Sequence, residues 1–178
     1  FCPGNARVSG RVNESYASTF VFDNDAPCVG EDAPEPLPEE SPVFRNRAAK
    51  GIARVVCYSP RHDTTLAELP LDQVARLVEV WQEQHRDLGG RAGIDHVLIF
   101  ENKGAVMGCS NPHPHGQIWS TERLPREVEK EDKTQRAFYE ANGRTMVGEI
   151  LAEEQRRSER IVYTNPHWSI VVPFWAIW

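Results

Sequence analysis

The chain carries no excess of positive charge. Lys and Arg number 20 against 26 Asp and Glu, a formal net charge of −6. A broad basic surface for gripping nucleic acid is thereby excluded, because such binding rests on many phosphate contacts. Small phosphate ligands need only a few placed donors and stay open. Long apolar runs are also missing: none approaches the roughly 20 residues that span a bilayer. The start, Phe1-Cys2-Pro3-Gly4-Asn5, has neither the basic region nor the apolar stretch of a signal peptide. The expectation is a cytoplasmic protein with no membrane partner. Cysteine is sparse. Cys2, Cys28, Cys57 and Cys109 stand 26, 29 and 52 residues apart. That spacing reads as free thiols or metal ligands, not a disulfide framework.

What is present is enough for a folded domain: 178 residues, 40 % of them hydrophobic. Both ends read as cut. Phe rather than Met opens the chain, and the last stretch, Ile170 to Trp178, stops on an apolar, strand-like run, where termini are usually polar. The expectation is a fragment of a longer protein.

Strands are predicted at Thr19–Phe22, Gly51–Ser59, Ile94–Glu101 and His113–Trp119, on β-prone composition and bounding turn residues. Residues 30–43, rich in proline and acidic side chains, read as a surface loop. Leu71, Val74, Leu77, Val78, Trp81 and Leu88 recur at helical spacing, with Pro70 before them and Gly89-Gly90 after. Residues 102–110 form a glycine-bearing loop. The charged stretch from Pro125 to Glu159 predicts two helices broken at Gly143. A hairpin follows, turned at Asn165-Pro166. These elements imply an α+β fold, mainly antiparallel sheet with flanking helices. A faint echo between Phe20–Asp25 and His167–Pro173 places a domain boundary near residue 160. Residues 1–160 then form one domain, and 161–178 the first strands of another.

The chemistry concentrates in Asn111-Pro112-His113-Pro114-His115-Gly116-Gln117. Along a strand, His113, His115 and Gln117 share one face. Gly116 lets a ligand approach the backbone closely. A neutral imidazole has a free lone pair near pH 7. It can attack phosphorus while a Gln amide donates to a non-bridging oxygen. A histidine–phosphorus bond is weak enough to be cleaved by a second acceptor, so the group is parked and then passed on. The plainer reading is a surface strand with two solvated histidines. Cys2, His62 and His113 are a second, metal-like set, although far apart in sequence. His62 alone reads equally as an exposed loop residue.

The string from Phe100 to Trp119, FENKGAVMGCSNPHPHGQIW, resembles the signature of the galactose-1-phosphate uridylyltransferase family, within the histidine-triad superfamily. Cys2–Arg7, Phe22–Asp25, Ser59–His62, Trp81–Gln84 and Pro173–Ala176 extend the resemblance over nearly the whole chain. It implies the N-terminal half of an enzyme that moves UMP from UDP-glucose onto a histidine and then to galactose 1-phosphate. By the resemblance, His115 is the nucleophile and Gln117 binds the phosphoryl oxygens. Asn24 and Asp25 lie near uridine and ribose. Asn102, Gly108, Cys109 and Ser110 surround the phosphates. Cys2, His62 and His113 are zinc ligands. Glu131 is a ligand of a second metal, Fe2+, shared with histidines beyond this chain. The resemblance also implies a homodimer. Two alternatives stand beside this one: another histidine-triad nucleotide phosphorylase or hydrolase, and a non-catalytic fragment that binds zinc and nucleotide.

Overall fold

The computed structural model describes residues 1–36, 43–44 and 46–177, so part of the loop expected at 30–43 lies outside the described residues. The chain divides into two compact units, Phe1–Leu124 and Pro125–Trp178, each with its own sheet.

The first unit is built on four antiparallel strands: β1 (Phe20–Asp23), β2 (Gly51–Cys57), β3 (His96–Phe100) and β4 (His115–Thr121), in the order β1-β2-β4-β3. Side chains alternate across the pleat, so register fixes two faces. Val56 pairs with Val21 and Gly116, while Cys57 pairs with Phe20 and His115. The first face carries Val21, Val56 and Ile118 and is covered by helix α1 (Leu71–Gly89). Leu77, Val80 and Leu88 of that helix join Val56, Tyr58 and Ile118 in the main core. Arg54 projects from the same face and reaches the helix, 2.6 Å from both Gln84 Oε1 and Asp87 Oδ2.

The second face carries Phe20, Phe22, Val55 and Cys57. An irregular N-terminal segment covers it, with Phe1 and Tyr16 packed against these residues. His115, Gln117 and Trp119 lie on this second face, as does Phe100 opposite Gln117.

The fourth strand begins at His115, two residues later than expected. Pro114 has no N–H to give a ladder, and the His113 N–H is taken by Asn111 Oδ1 at 3.0 Å. His113 is therefore not a strand residue. It is 2 % exposed, whereas His115 is only half-buried.

In the second unit, α2 (Arg126–Asn142) ends where Gly143 takes a left-handed φ of 66°. Helix α3 (Met146–Arg157) starts from Thr145, whose Oγ accepts the Gly148 N–H at 3.2 Å. The hairpin of β5 (Ile161–Thr164) and β6 (Ser169–Val171) turns at Asn165, whose Oδ1 accepts the N–H groups of His167 and Trp168 at 2.9 and 2.8 Å. Both helices belong to the same compact unit as the hairpin, Pro125–Trp178. Among the described residues no helix is long and apolar enough to cross a membrane.

Strand β2 approaches β4 closely at Gly51. A Cβ there would overlap the Ser120 carbonyl oxygen and lie 3.2 Å from Val29 Cγ2. Gly51→Ala is expected to destabilise the first unit by about 1–3 kcal/mol, as overpacking does. Urea unfolding checks this: the midpoint should fall at unchanged slope.

Candidate active site

The site is assembled from backbone outward. Asn111 turns the chain by accepting the His113 N–H, and Pro112 and Pro114 fix φ on either side of His113. This delivers the His113 ring into the interior beside the N-terminal segment. Its Nε2 lies 2.9 Å from the Ser59 carbonyl and 3.0 Å from the Tyr16 hydroxyl. A carbonyl only accepts, so Nε2 carries the proton. The Tyr16 hydroxyl in turn donates to the Phe1 carbonyl at 2.8 Å. Burial pushes the Tyr16 pKa far up, so the phenol keeps its proton. His113 Nδ1 is left with a bare lone pair facing Cys2 Sγ at 3.6 Å. Burial also pushes the His113 pKa down to about 4, so the ring is neutral at pH 7.

The His115 ring has the opposite tautomer. Its Nδ1 lies 2.7 Å from the His113 carbonyl, to which it must donate. The lone pair is therefore on Nε2. The ring meets the Phe1 ring edge-on, centroids 4.8 Å apart. It borders a cleft of about 390 Å³ whose walls include Thr65, Glu101, Asn102, Lys103 and Cys109.

Of the residues expected to surround phosphates, Asn102 and Cys109 border this cleft with His115. Gly108 closes a short turn with a left-handed φ of 81°, and Ser110 is exposed beside it. Cys109 Sγ donates to the Asn111 carbonyl at 3.0 Å, tying that loop to the turn before His113. Gln117 lies two residues along the same face. Its Oε1 accepts the Trp119 indole N–H at 3.3 Å, which orients the amide and leaves its NH2 to donate.

Asn24 and Asp25 stand at the end of β1. Asn24 serves the turn there, its Oδ1 accepting the Ala26 N–H at 3.0 Å. Asp25 pairs with Arg7 at 3.3 Å, both side chains largely buried, and the Arg7 guanidinium lies over the Phe22 ring at 4.2 Å. The structure joins Cys2 and His113 but leaves His62 exposed on the loop after β2, and Glu131 exposed on α2. Among the described residues no three His, Cys, Asp or Glu side chains are grouped closely enough to hold a metal ion.

Sequence reasoning did not single out Asn13 or Tyr16, and it met Ser59 and Lys103 only inside the matching strings, with no role of their own. The first two lie in a segment without periodicity. Ser59 acts through its carbonyl, which no side-chain pattern reports.

Residues 1–125 match the family model described as galactose-1-phosphate uridyl transferase, N-terminal domain. The chain belongs to that family. It is 46 % identical over 177 residues to galactose-1-phosphate uridylyltransferase of Haemophilus influenzae, covering 99 % of this chain and 50 % of the relative. The rat enzyme of the same name is 42 % identical over 177 residues, with 99 % and 46 % covered. The chain thus spans about half the length of the curated relatives it matches. A solved structure of a uridylyltransferase superposes with a TM-score of 0.86 at 30 % identity, covering 99 % of this chain and 54 % of that one. An ADP-glucose phosphorylase from Arabidopsis thaliana with bound ADP-glucose shares the fold, at a TM-score of 0.73 and 19 % identity, with 99 % and 52 % covered. The α+β class with a mainly antiparallel sheet is that of these relatives.

His113 generates a pH test on the metal-free protein. Its pKa is lower in the folded state, about 4, than its ordinary 6.5. The unfolded chain therefore binds the extra proton between these values. This contribution to stability is complete above pH 6.5 and is lost as pH falls towards 4. Unfolding midpoints in the presence of chelator should decline across that window, and His113→Asn should flatten the decline. Equal slopes in the two proteins would remove His113 as its source.

Proposed function

We propose that the protein containing this chain transfers UMP from UDP-glucose to galactose 1-phosphate through a uridylyl-histidine formed on His115. The observation that carries this reading is the His115 Nδ1–H bond to the His113 carbonyl, which leaves Nε2 unprotonated at the edge of an open cleft.

In the first step, Nε2 attacks the α-phosphorus of UDP-glucose. The N–P bond forms, and the P–O bond to glucose 1-phosphate breaks with its electron pair leaving on oxygen. The ring becomes cationic as it attacks, and the His113 carbonyl dipole stabilises that charge through the Nδ1 hydrogen bond. The Gln117 NH2 group donates to a non-bridging oxygen, where negative charge builds. In the second step a phosphate oxygen of galactose 1-phosphate attacks the same phosphorus, and Nε2 leaves with its lone pair. Asn102, Gly108, Cys109 and Ser110 hold the phosphates, and Asn24 and Asp25 the uridine and ribose. The intact protein acts as a homodimer in the cytoplasm.

Zinc fits the Cys2–His113 pair. Zn–S and Zn–N bonds of about 2.3 and 2.0–2.1 Å at a tetrahedral angle separate sulfur and nitrogen by about 3.6 Å. That is the spacing observed. The neutral ring with Nδ1 bare, and Nε2–H donated to a carbonyl, is the state a ligand histidine needs. His62, exposed on the loop after β2, is the third residue of this chain that would hold it. Zinc, when bound, supplies a structural cross-link between the N-terminal segment and the turn that positions His115. A second metal, Fe2+, would take Glu131, exposed on α2, together with histidines outside this chain.

The fold shared with a phosphorylase favours one second reading, in which inorganic phosphate takes the parked nucleotide. The two readings part at the second step. Enzyme charged with uridine-labelled UDP-glucose should hold label on histidine and release it to galactose 1-phosphate as UDP-galactose. Release only to phosphate or water overturns the transferase reading. His115→Ala should lower exchange by at least about 10³-fold while UDP-glucose binding stays measurable. Gln117→Ala should lower kcat by about 10²–10³-fold, the usual loss on removing one such donor.

A further inference from the structure

We infer that Asn13 and Tyr16 are positioning residues of the metal centre, a clamp that holds Cys2 in register with His113. This rests on the reading of Cys2 and His113 as zinc ligands.

Cys2 lies in a segment with no sheet to hold it, and its thiol would wander without another restraint. Asn13 supplies one. It is 3 % exposed, and its Nδ2 donates to the carbonyls of Phe1 and Cys2 at 3.0 and 3.2 Å. Its own N–H donates to the Asn5 carbonyl at 3.0 Å, and its carbonyl accepts the Gly4 N–H at 3.1 Å. Asn13 therefore grips the Phe1–Asn5 turn with both its backbone and its side chain. Its Oδ1 is buried without a partner. The amide thus sits where only its donor half is satisfied, which packing alone does not explain.

Tyr16 ties this turn to the other ligand. Its hydroxyl donates to the Phe1 carbonyl and accepts from His113 Nε2–H, at 2.8 and 3.0 Å. One oxygen thus connects the residue before Cys2 to the ring that faces Cys2. The Tyr16 ring stacks on Phe20 of β1, centroids 4.9 Å apart and 14° from parallel, so the hydroxyl is aimed from a rigid base. Each gripped group keeps another partner when one member of the clamp is removed. The Cys2 carbonyl still accepts the Asn5 N–H at 3.2 Å, and His113 Nε2 still meets the Ser59 carbonyl. Loss of the clamp should therefore loosen ligand placement more than it harms the fold.

The test is zinc affinity of the intact protein, measured by competition with a chromophoric chelator, together with the visible spectrum of the Co2+-loaded form. Tyr16→Phe and, separately, Asn13→Leu should each raise the zinc Kd by about 10–100-fold and shift the Co2+ bands. The unfolding midpoint of the chelated protein should stay close to that of the unaltered one. In a His113→Ala background, Tyr16→Phe should add no further loss, because the ring it orients is gone. Zinc affinity within twofold of the unaltered protein in both variants overturns the clamp while leaving the metal reading intact. So does an equal loss from Tyr16→Phe with and without His113. An unaltered protein that takes up no zinc overturns the metal reading, and the clamp with it.

Discussion

The 2.7 Å hydrogen bond between His115 Nδ1 and the His113 carbonyl decides which nitrogen of the second ring can react. Everything around it serves to put that carbonyl in place. Asn111 takes the His113 N–H, two prolines limit the backbone on either side, and the His113 ring is locked inside by Ser59 and Tyr16. The two histidines have opposite tautomers for opposite reasons. One ring is buried, neutral and turned towards a thiol. The other is half-buried and turned towards a cleft.

This division follows from the two faces of the sheet. Helix α1 seals one face with Leu77, Val80 and Leu88, and Arg54 bonds it to β2 from within that face. That leaves the face of Phe20, Val55 and Cys57 for the N-terminal segment. An irregular segment covers the apolar half, and its Phe1 meets the His115 ring edge-on while that ring still borders the cleft. The same irregularity demands polar anchors. Two of them, Asn13 and Tyr16, are nearly as buried as the core itself.

Periodicity made most of the frame legible in the sequence. The α1 pattern from Leu71, the break at Gly143 and the Asn165 turn each rest on local rules, and local rules survive folding. The start of β4 is hidden from the pattern because alternation continues through His113 while the hydrogen bonding does not: Pro114 and the Asn111 side chain end the ladder at His115. The core of the site was legible in part. His115 and Gln117 share a face, as two-residue spacing requires, but His113 leaves that row. Segment 1–19 has no period to read, so the buried donors at Asn13 and Tyr16 gave no signal. The Cys2–His113 approach is a contact across 111 residues, which spacing cannot report. His62 and Glu131 both remain exposed on their own elements, where neither has a periodic pattern around it to signal a ligand role.

The group that orients the proposed nucleophile is a main-chain carbonyl, and every residue has one. No single substitution can delete it. Mutational damage to the orientation must come indirectly, through the residues that steer the backbone: Asn111, Pro112 and Pro114. Variants at those three positions should therefore behave as active-site variants, through the backbone they steer as well as through the cleft that Pro112 and Pro114 border.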